Sequence, residues 1–227
     1  MLRRSVLPLA AAAFAQNDTS EPLFDGKTFH GWRAPFPEIR IEDSWRIHDG
    51  AIQTVPDGEL KRNLSTDIWT NAKFTAFDLS FEYWAAPTAN GGLKFQVQRP
   101  IFVEDIAGKQ RVIPTFAQAP GAHIIAYSVA LEFQVSAPDE PVGQTKPMAR
   151  AGSLYNKVAA PAHIAAKAEA WNLCRLRLES NGQLEMWLNG ETTVKTTVPT
   201  PLIESPIALQ HHGTLVRYRN LRIQSLR

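Results

Sequence analysis

Four polar side chains fall into two groups that could act on a bound ligand. Glu132 and Gln134 alternate with Leu131, Phe133 and Val135, so in an extended chain both leave the apolar face together. Gln210 and His212 share a face by the same period, which sends His211 the other way, with Ile207 and Leu209. A carboxylate or an imidazole so placed is a candidate base, and the ordinary histidine pKa of about 6.5 suits proton transfer near neutrality. On position alone, a solvated surface pair is the commoner explanation of Glu132 and Gln134. Ordinary glycoside hydrolysis needs two carboxylates held roughly 5–10 Å apart. The Glu132 segment supplies only one, since Gln134 and Ala137 stand where further carboxylates would be needed. The diverging histidines and the lack of HExxH or CxxC spacing argue against a shared metal site. There is no G-x-S-x-G elbow, phosphate loop or dinucleotide fingerprint either. Cys174 shares a strand face with Leu176 and Leu178, which predicts a buried, inert thiol.

The elements that must position these residues are strands. Phe77, Leu79, Phe81 and Tyr83 alternate with Asp78, Ser80 and Glu82, the pattern of a strand with one buried face. Leu93, Phe95 and Val97 repeat it, as do Tyr127, Val129, Leu131, Phe133 and Val135. Asp49-Gly50, Asn181-Gly182 and Asn189-Gly190 supply the positive φ that tight two-residue hairpins need. The last two predict a meander over 172–180, 183–188 and 191–198, ended by Pro199 and Pro201. Two more strands are expected around His212-Gly213, with a bulge near Arg219-Asn220 where the apolar parity changes. One short helix is expected at 162–170. The irregular stretches 99–122 and 136–151 read as loops that wall a site. Many short strands with little helix predict an all-β sandwich or barrel.

Composition agrees with an ordinary globular domain: 44% hydrophobic, 9% aromatic and 20% charged. Residues 1–15 read as an export signal, with Arg3 and Arg4, an apolar run over 5–14 and an Ala13-Phe14-Ala15 cleavage site. Residues 16–227 then form a single domain, exported to the periplasm or beyond. Cleavage removes two of the 24 basic residues and balances the rest against 22 acidic ones, which argues against nucleic acid or an acidic membrane as partner. No other window offers the roughly 18 unbroken apolar residues of a membrane span. With a lone cysteine there is no internal disulfide, so a sizeable core must hold the fold.

In order and spacing the motifs resemble the 3-keto-disaccharide hydrolase family, also described as a 3-keto-glucoside lyase and hydratase domain. The likeness runs from Leu23-Phe24-Asp25-Gly26-Lys27 and Gly31-Trp32 through Asn90-Gly91-Gly92-Leu93-Lys94-Phe95, Leu131-Glu132-Phe133-Gln134 and Gly152-Ser153-Leu154-Tyr155. It continues through Trp187-Leu188-Asn189-Gly190, Leu209-Gln210-His211-His212-Gly213 and Tyr218-Arg219-Asn220-Leu221. The resemblance implies a concanavalin A-like jelly roll of the lectin and glucanase type, export from a bacterial cell and action on oxidised sugars. It implies His212 and Glu132 as catalytic residues, either of which could be the base, and Gln134, Tyr155, Gln210, Arg219 and Asn90 as substrate ligands. Met186 and Asn156 depart from the family's His and Asp, which argues against a metal or acid role at those positions.

The implied chemistry explains the missing second carboxylate. A ketone at C3 acidifies the C2 proton, so one base can remove it while the glycosidic oxygen leaves C1. Water adding to the resulting enone completes net hydrolysis. The enolate calls for a donor such as Arg219 or Gln134, or for a cation. No cofactor is otherwise expected, and a divalent cation stays an open alternative. A non-catalytic carbohydrate-binding module on the same sandwich is the second hypothesis; exposed aromatic platforms would favour it, whereas Glu132, His212 and Arg219 favour an enzyme.

Overall fold

The computed structural model describes residues 19–116 and 120–226; the expected export segment, 1–15, lies outside them. Its strands are β1 (Glu21–Pro22), β2 (Trp32–Arg33), β3 (Trp45–His48), β4 (Ala51–Thr54), β5 (Leu64–Thr66), β6 (Ile68–Thr70), β7 (Phe77–Ala85) and β8 (Asn90–Ile106). They continue as β9 (Lys109–Ile113), β10 (His123–Ser136), β11 (Asn172–Leu178), β12 (Gln183–Leu188), β13 (Glu191–Thr197), β14 (Ala208–Gln210) and β15 (Val216–Ser225). They build two sheets. One runs β13-β12-β11-β7-β15-β4-β3 with β1 on β15, and the other runs β2-β6-β14-β8-β10-β5 with β9 on β8. This is the two-sheet jelly-roll sandwich that the family resemblance implies, and it decides between the sandwich and barrel that the alternating pattern left open.

The core forms where the alternating faces meet. Phe81 of β7 meets Phe133 of β10 edge to face at 5.4 Å, and Phe77 meets Phe95 of β8 in the same way at 6.3 Å. Cys174, Leu176 and Leu178 are buried beside them, and burial pushes the Cys174 thiol well up, as an inert core cysteine requires. The predicted meander is present as β11-β12-β13. Its second turn has Asn189 and Gly190 at φ 53° and 90°, whereas the first spans residues 180–182 with only Gly182 at positive φ, 85°. The bulge in β15 falls between Arg219 and Arg222, with Asn220 at φ 51°, where the parity change placed it.

Three expectations are corrected. Residues 162–170 form no helix. Ile164 and Ala166 are buried while their neighbours are exposed, and the Asn172 side chain ties down Lys167 and Ala170 through their backbone groups. Packing of alternate residues thus overrides the helix preference of the alanines. The stretch 99–122 is largely not loop, because β8 continues to Ile106 and turns through Ala107 and Gly108 into β9. Third, the alternation of β10 does not run through its whole length. Its register with β8 breaks between Val129 and Leu131, opposite a β8 segment that holds Gln96 at φ 50°. Beyond the break Ile124 and Ala126 turn inward onto Leu64 and Phe102, forming a second small core. Ile125 and Tyr127 therefore point to the same side as Glu132 and Gln134.

Candidate active site

That shared side is the floor and wall of a cavity of about 440 Å³ on the outer face of the seven-stranded sheet, within the range of small-ligand sites. β8, β10 and β14 lie side by side beneath it. Gln134, Gly92 and Gln210 form one cross-strand row; Glu132, Lys94 and Ala208 form the next. Gly92 leaves the centre of the floor bare, and Glu132 lies across it. A Cβ at position 92 would stand 2.5 Å from Glu132 Oε1 and 2.6 Å from its Cδ. Gln210 Nε2 reaches over the same gap to donate a long bond, 3.4 Å, to Glu132 Oε2.

Glu132 is 5% exposed, and burial pushes its carboxyl up to about 7, with Lys94 opposing the shift and Asp67 adding to it. It can therefore change charge near neutral pH, as a working base must. The two floor amides complete the site. Gln134 Nε2 donates to Asn90 Oδ1 at 2.7 Å. The carbonyl oxygens of both Gln134 and Gln210 are buried with no partner among the described residues, and a buried acceptor left unmade costs about 1–3 kcal/mol.

The sequence profile of the 3-keto-alpha-glucoside-1,2-lyase-like domain matches residues 19–224. The chain belongs to this family. A 3-keto-disaccharide hydrolase of Bacteroides thetaiotaomicron is 25% identical over 90% of this chain and 77% of its own length. Among solved structures, a candidate glycosyl hydrolase of Parabacteroides distasonis superposes with a TM-score of 0.68 at 20% identity, covering 92% of this chain and 94% of that one. The exoplasmic domain of VIP36, bound to Ca²⁺ and Man3GlcNAc, superposes at 0.50 and 13% identity over 90% of this chain and 88% of its own. Both likenesses show the sandwich fold alone.

Within this 3-keto-alpha-glucoside-1,2-lyase-like domain, the cavity gathers Glu132, Gln134, Gln210, Asn90, Tyr155 and His212. Tyr155 stands at the rim, 43% exposed, because residues 152–155 zip along β10: Gly152 donates to Gln134 O, Gln134 to Ser153 O and Tyr155 to Glu132 O. Arg219 is not brought in. It lies on the opposite sheet, its Nε 2.8 Å from Glu82 Oε2 and its guanidinium 3.8 Å over the Trp171 ring. Tyr218 beside it packs into the core, so strand alternation sends Arg219 out through the far face. Met186 is likewise buried in the core.

The two histidines do not diverge as strand alternation implies, because β14 ends at Gln210 and both line the cavity. They still differ in freedom. His211 is 3% exposed and has both ring nitrogens occupied: Nε2 donates to Val55 O at 2.7 Å, and Nδ1 accepts from Gly213 N at 3.2 Å. Burial lowers its pKa, so it is held neutral. His212 is exposed at the mouth, and its ring has no partner among the described residues.

Sequence reasoning missed Tyr127, hidden by the register break, and His123, whose Nε2 lies 2.9 Å from Ser65 Oγ at the far end of the cavity. It also missed the Lys94–Asp67 pair beneath Glu132. The one available signal was a lysine inserted between Leu93 and Phe95 in mid-strand. Among the described residues, no three His, Cys, Asp or Glu side chains gather to hold a metal ion.

Proposed function

We propose that the protein cleaves the glycosidic bond of 3-keto-disaccharides by elimination and hydration, with Glu132 as the base at C2. The observation that carries this is the buried carboxyl of Glu132, poised near pH 7 on the cavity floor beside the amides of Gln134 and Gln210. Glu132 takes the C2 proton and the electron pair moves toward the C3 carbonyl. As the resulting enolate collapses, the C1–O bond breaks, a C1=C2 bond forms and the aglycone oxygen takes up a proton. Water then adds its hydroxyl at C1 and a proton at C2. With Arg219 and the Gln134 amide N–H groups engaged elsewhere, the side-chain amide of Asn90, which lines the cavity, is the donor assigned to the developing O3 charge. The name of the Bacteroides relative supports the same substrate class.

The test is to supply a 3-keto-disaccharide and its unoxidised parent in turn. Release of reducing sugar is expected from the first and essentially none from the second, and in heavy water the product carries deuterium at C2. Equal cleavage of both sugars would sink the elimination mechanism, and binding without cleavage would make the protein a carbohydrate-binding module.

We propose that the activity lies outside the cytoplasm, a reading supported by the signal pattern of residues 1–15. Protein recovered from the periplasm or medium of a bacterial host is expected to begin at Gln16; full-length chain beginning at Met1 would overturn this.

A further inference from the structure

We infer that Lys94 and Asp67 form a positioning pair that holds Glu132 ready to take a proton. The inference rests on Glu132 being the base proposed above. Lys94 is 1% exposed and does not line the cavity, so it is no ligand for the substrate. It stands on β8 directly opposite Glu132 in register. Its Nζ donates to Asp67 Oδ2 at 2.8 Å and sits 3.4 Å over the ring of Tyr127, which does line the cavity. Asp67, equally buried, also accepts from the backbone N–H of Ser128 at 2.9 Å and of His211 at 3.2 Å. One ion pair thus joins the floor strand β8, the wall residue Tyr127 with its neighbour Ser128, and the turn that follows β14.

Stability alone is a poor reason for this arrangement. A buried ion pair can usually be replaced by apolar groups of similar shape at no net cost, whereas removing one partner strands a charge. A function in the field around Glu132 is a better account. The titratable and charged groups acting there are Lys94 from β8, Asp67 from the segment between β5 and β6, Tyr127 from β10 itself and Tyr218 from β15. Tyr155 and His212 share the cavity, and Gln210 of β14 is neutral. Among the described residues, Lys94 is the cation that acts on Glu132. Burial alone would depress the lysine, but the carboxylates of Asp67 and Glu132, with Tyr127, outweigh it and keep it charged. Burial is the main influence opposing the lysine on Glu132, and Asp67 adds to it.

Opposite effects are therefore expected from removing the two partners. Lys94→Met and Asp67→Asn are compared with the parent by the pH dependence of kcat/KM on a 3-keto-disaccharide. Carboxyl ¹³C NMR, with the Glu132 signal assigned by its loss in Glu132→Gln, follows the same group without turnover. Lys94→Met is expected to move the Glu132 midpoint upward by about one pH unit or more, and Asp67→Asn to move it downward. Lys94→Arg keeps the charge and is expected to leave the midpoint in place; where Lys94→Met fails to fold, the direction of the Asp67→Asn shift decides. A merely structural pair would lower the melting temperature, or the rate at every pH, without moving the midpoint. Unmoved midpoints in folded Lys94→Met and Asp67→Asn, or shifts of one sign in both, would overturn the inference. A parent protein inert on 3-keto sugars would instead defeat the functional proposal, and the NMR midpoints would still decide the role of the pair.

Discussion

Glu132→Gln is expected to cut turnover of a 3-keto-disaccharide by about 10²–10⁴-fold, the usual cost of a lost general base, while making the protein more stable at alkaline pH. The two effects have one origin. In the folded protein the carboxyl titrates at about 7 rather than 4.5, chiefly because burial penalises the charged form. Between those values the native state holds a proton that the unfolded chain has released. Stability therefore falls as pH rises through that window and stays depressed above it. A separation of about 2.5 units corresponds to about 3 kcal/mol. Glutamine keeps the shape and removes the charge, so the variant should exceed the parent by no more than about 1 kcal/mol at pH 5 and by about 3 kcal/mol at pH 8. The parent's kcat/KM should rise with pH through about 7, as Glu132 ionises, and then level off. Thermal unfolding at pH 5 and pH 8, run beside the kinetics, checks both halves. Retained turnover in the variant would remove Glu132 from the mechanism, and a stability difference that ignores pH would show that its carboxyl is not desolvated.

How far the site could be read without coordinates depends on how regular each strand is. Phe77 to Tyr83 and Leu93 to Phe95 alternate without interruption, and the structure buries the expected faces. Glu132 and Gln134 sit on the regular half of β10, so their outward direction followed from Phe133 and Val135 alone. Tyr127 lies past a register break that only the partner strand reveals, and period-2 counting assigned it to the core with Phe133. The histidines fail for a related reason: alternation holds only while a residue is extended, and β14 stops one residue short of His211. Arg219 was placed by resemblance, and the sheet to which its strand belongs was beyond reach, because β14 and β15 join different sheets across a short connection. Lys94 stands out in the sequence only as a lysine in mid-strand, and its pairing with Asp67 exists only in three dimensions. A lysine on the outward face of a strand ordinarily reads as solvated, and here it is buried against the Tyr127 ring and Asp67.

Gly91→Ala and Gly92→Ala are expected to separate stability from turnover, although the two glycines are adjacent. Neither has positive φ among the described residues, so alanine fits the backbone at both and would by itself stiffen the unfolded chain in the folded state's favour. What differs is the face. A Cβ at Gly91 points into the sandwich, 2.9 Å from the Tyr218 hydroxyl and 3.4 Å from Val216 Cγ2, both packed in the main core. Overpacking of that kind costs about 1–3 kcal/mol, so Gly91→Ala should lower the melting temperature and leave kcat close to the parent's. A Cβ at Gly92 points into the cavity floor and meets Glu132 at Oε1, Cδ and Cγ, all within 2.7 Å. The glutamate must rotate off the floor to admit it, abandoning the bond from Gln210 Nε2. Displacing a catalytic group by about 1 Å can cost on the order of 10²-fold in rate, so Gly92→Ala should lose about that much turnover while melting near the parent temperature. Its Glu132, moved away from Lys94, should also titrate at a different pH. Measuring kcat, melting temperature and the pH–rate profile for both variants tests the floor geometry directly. A Gly92→Ala protein with parental turnover and an unmoved profile would mean that Glu132 does not work from the position it occupies across that glycine.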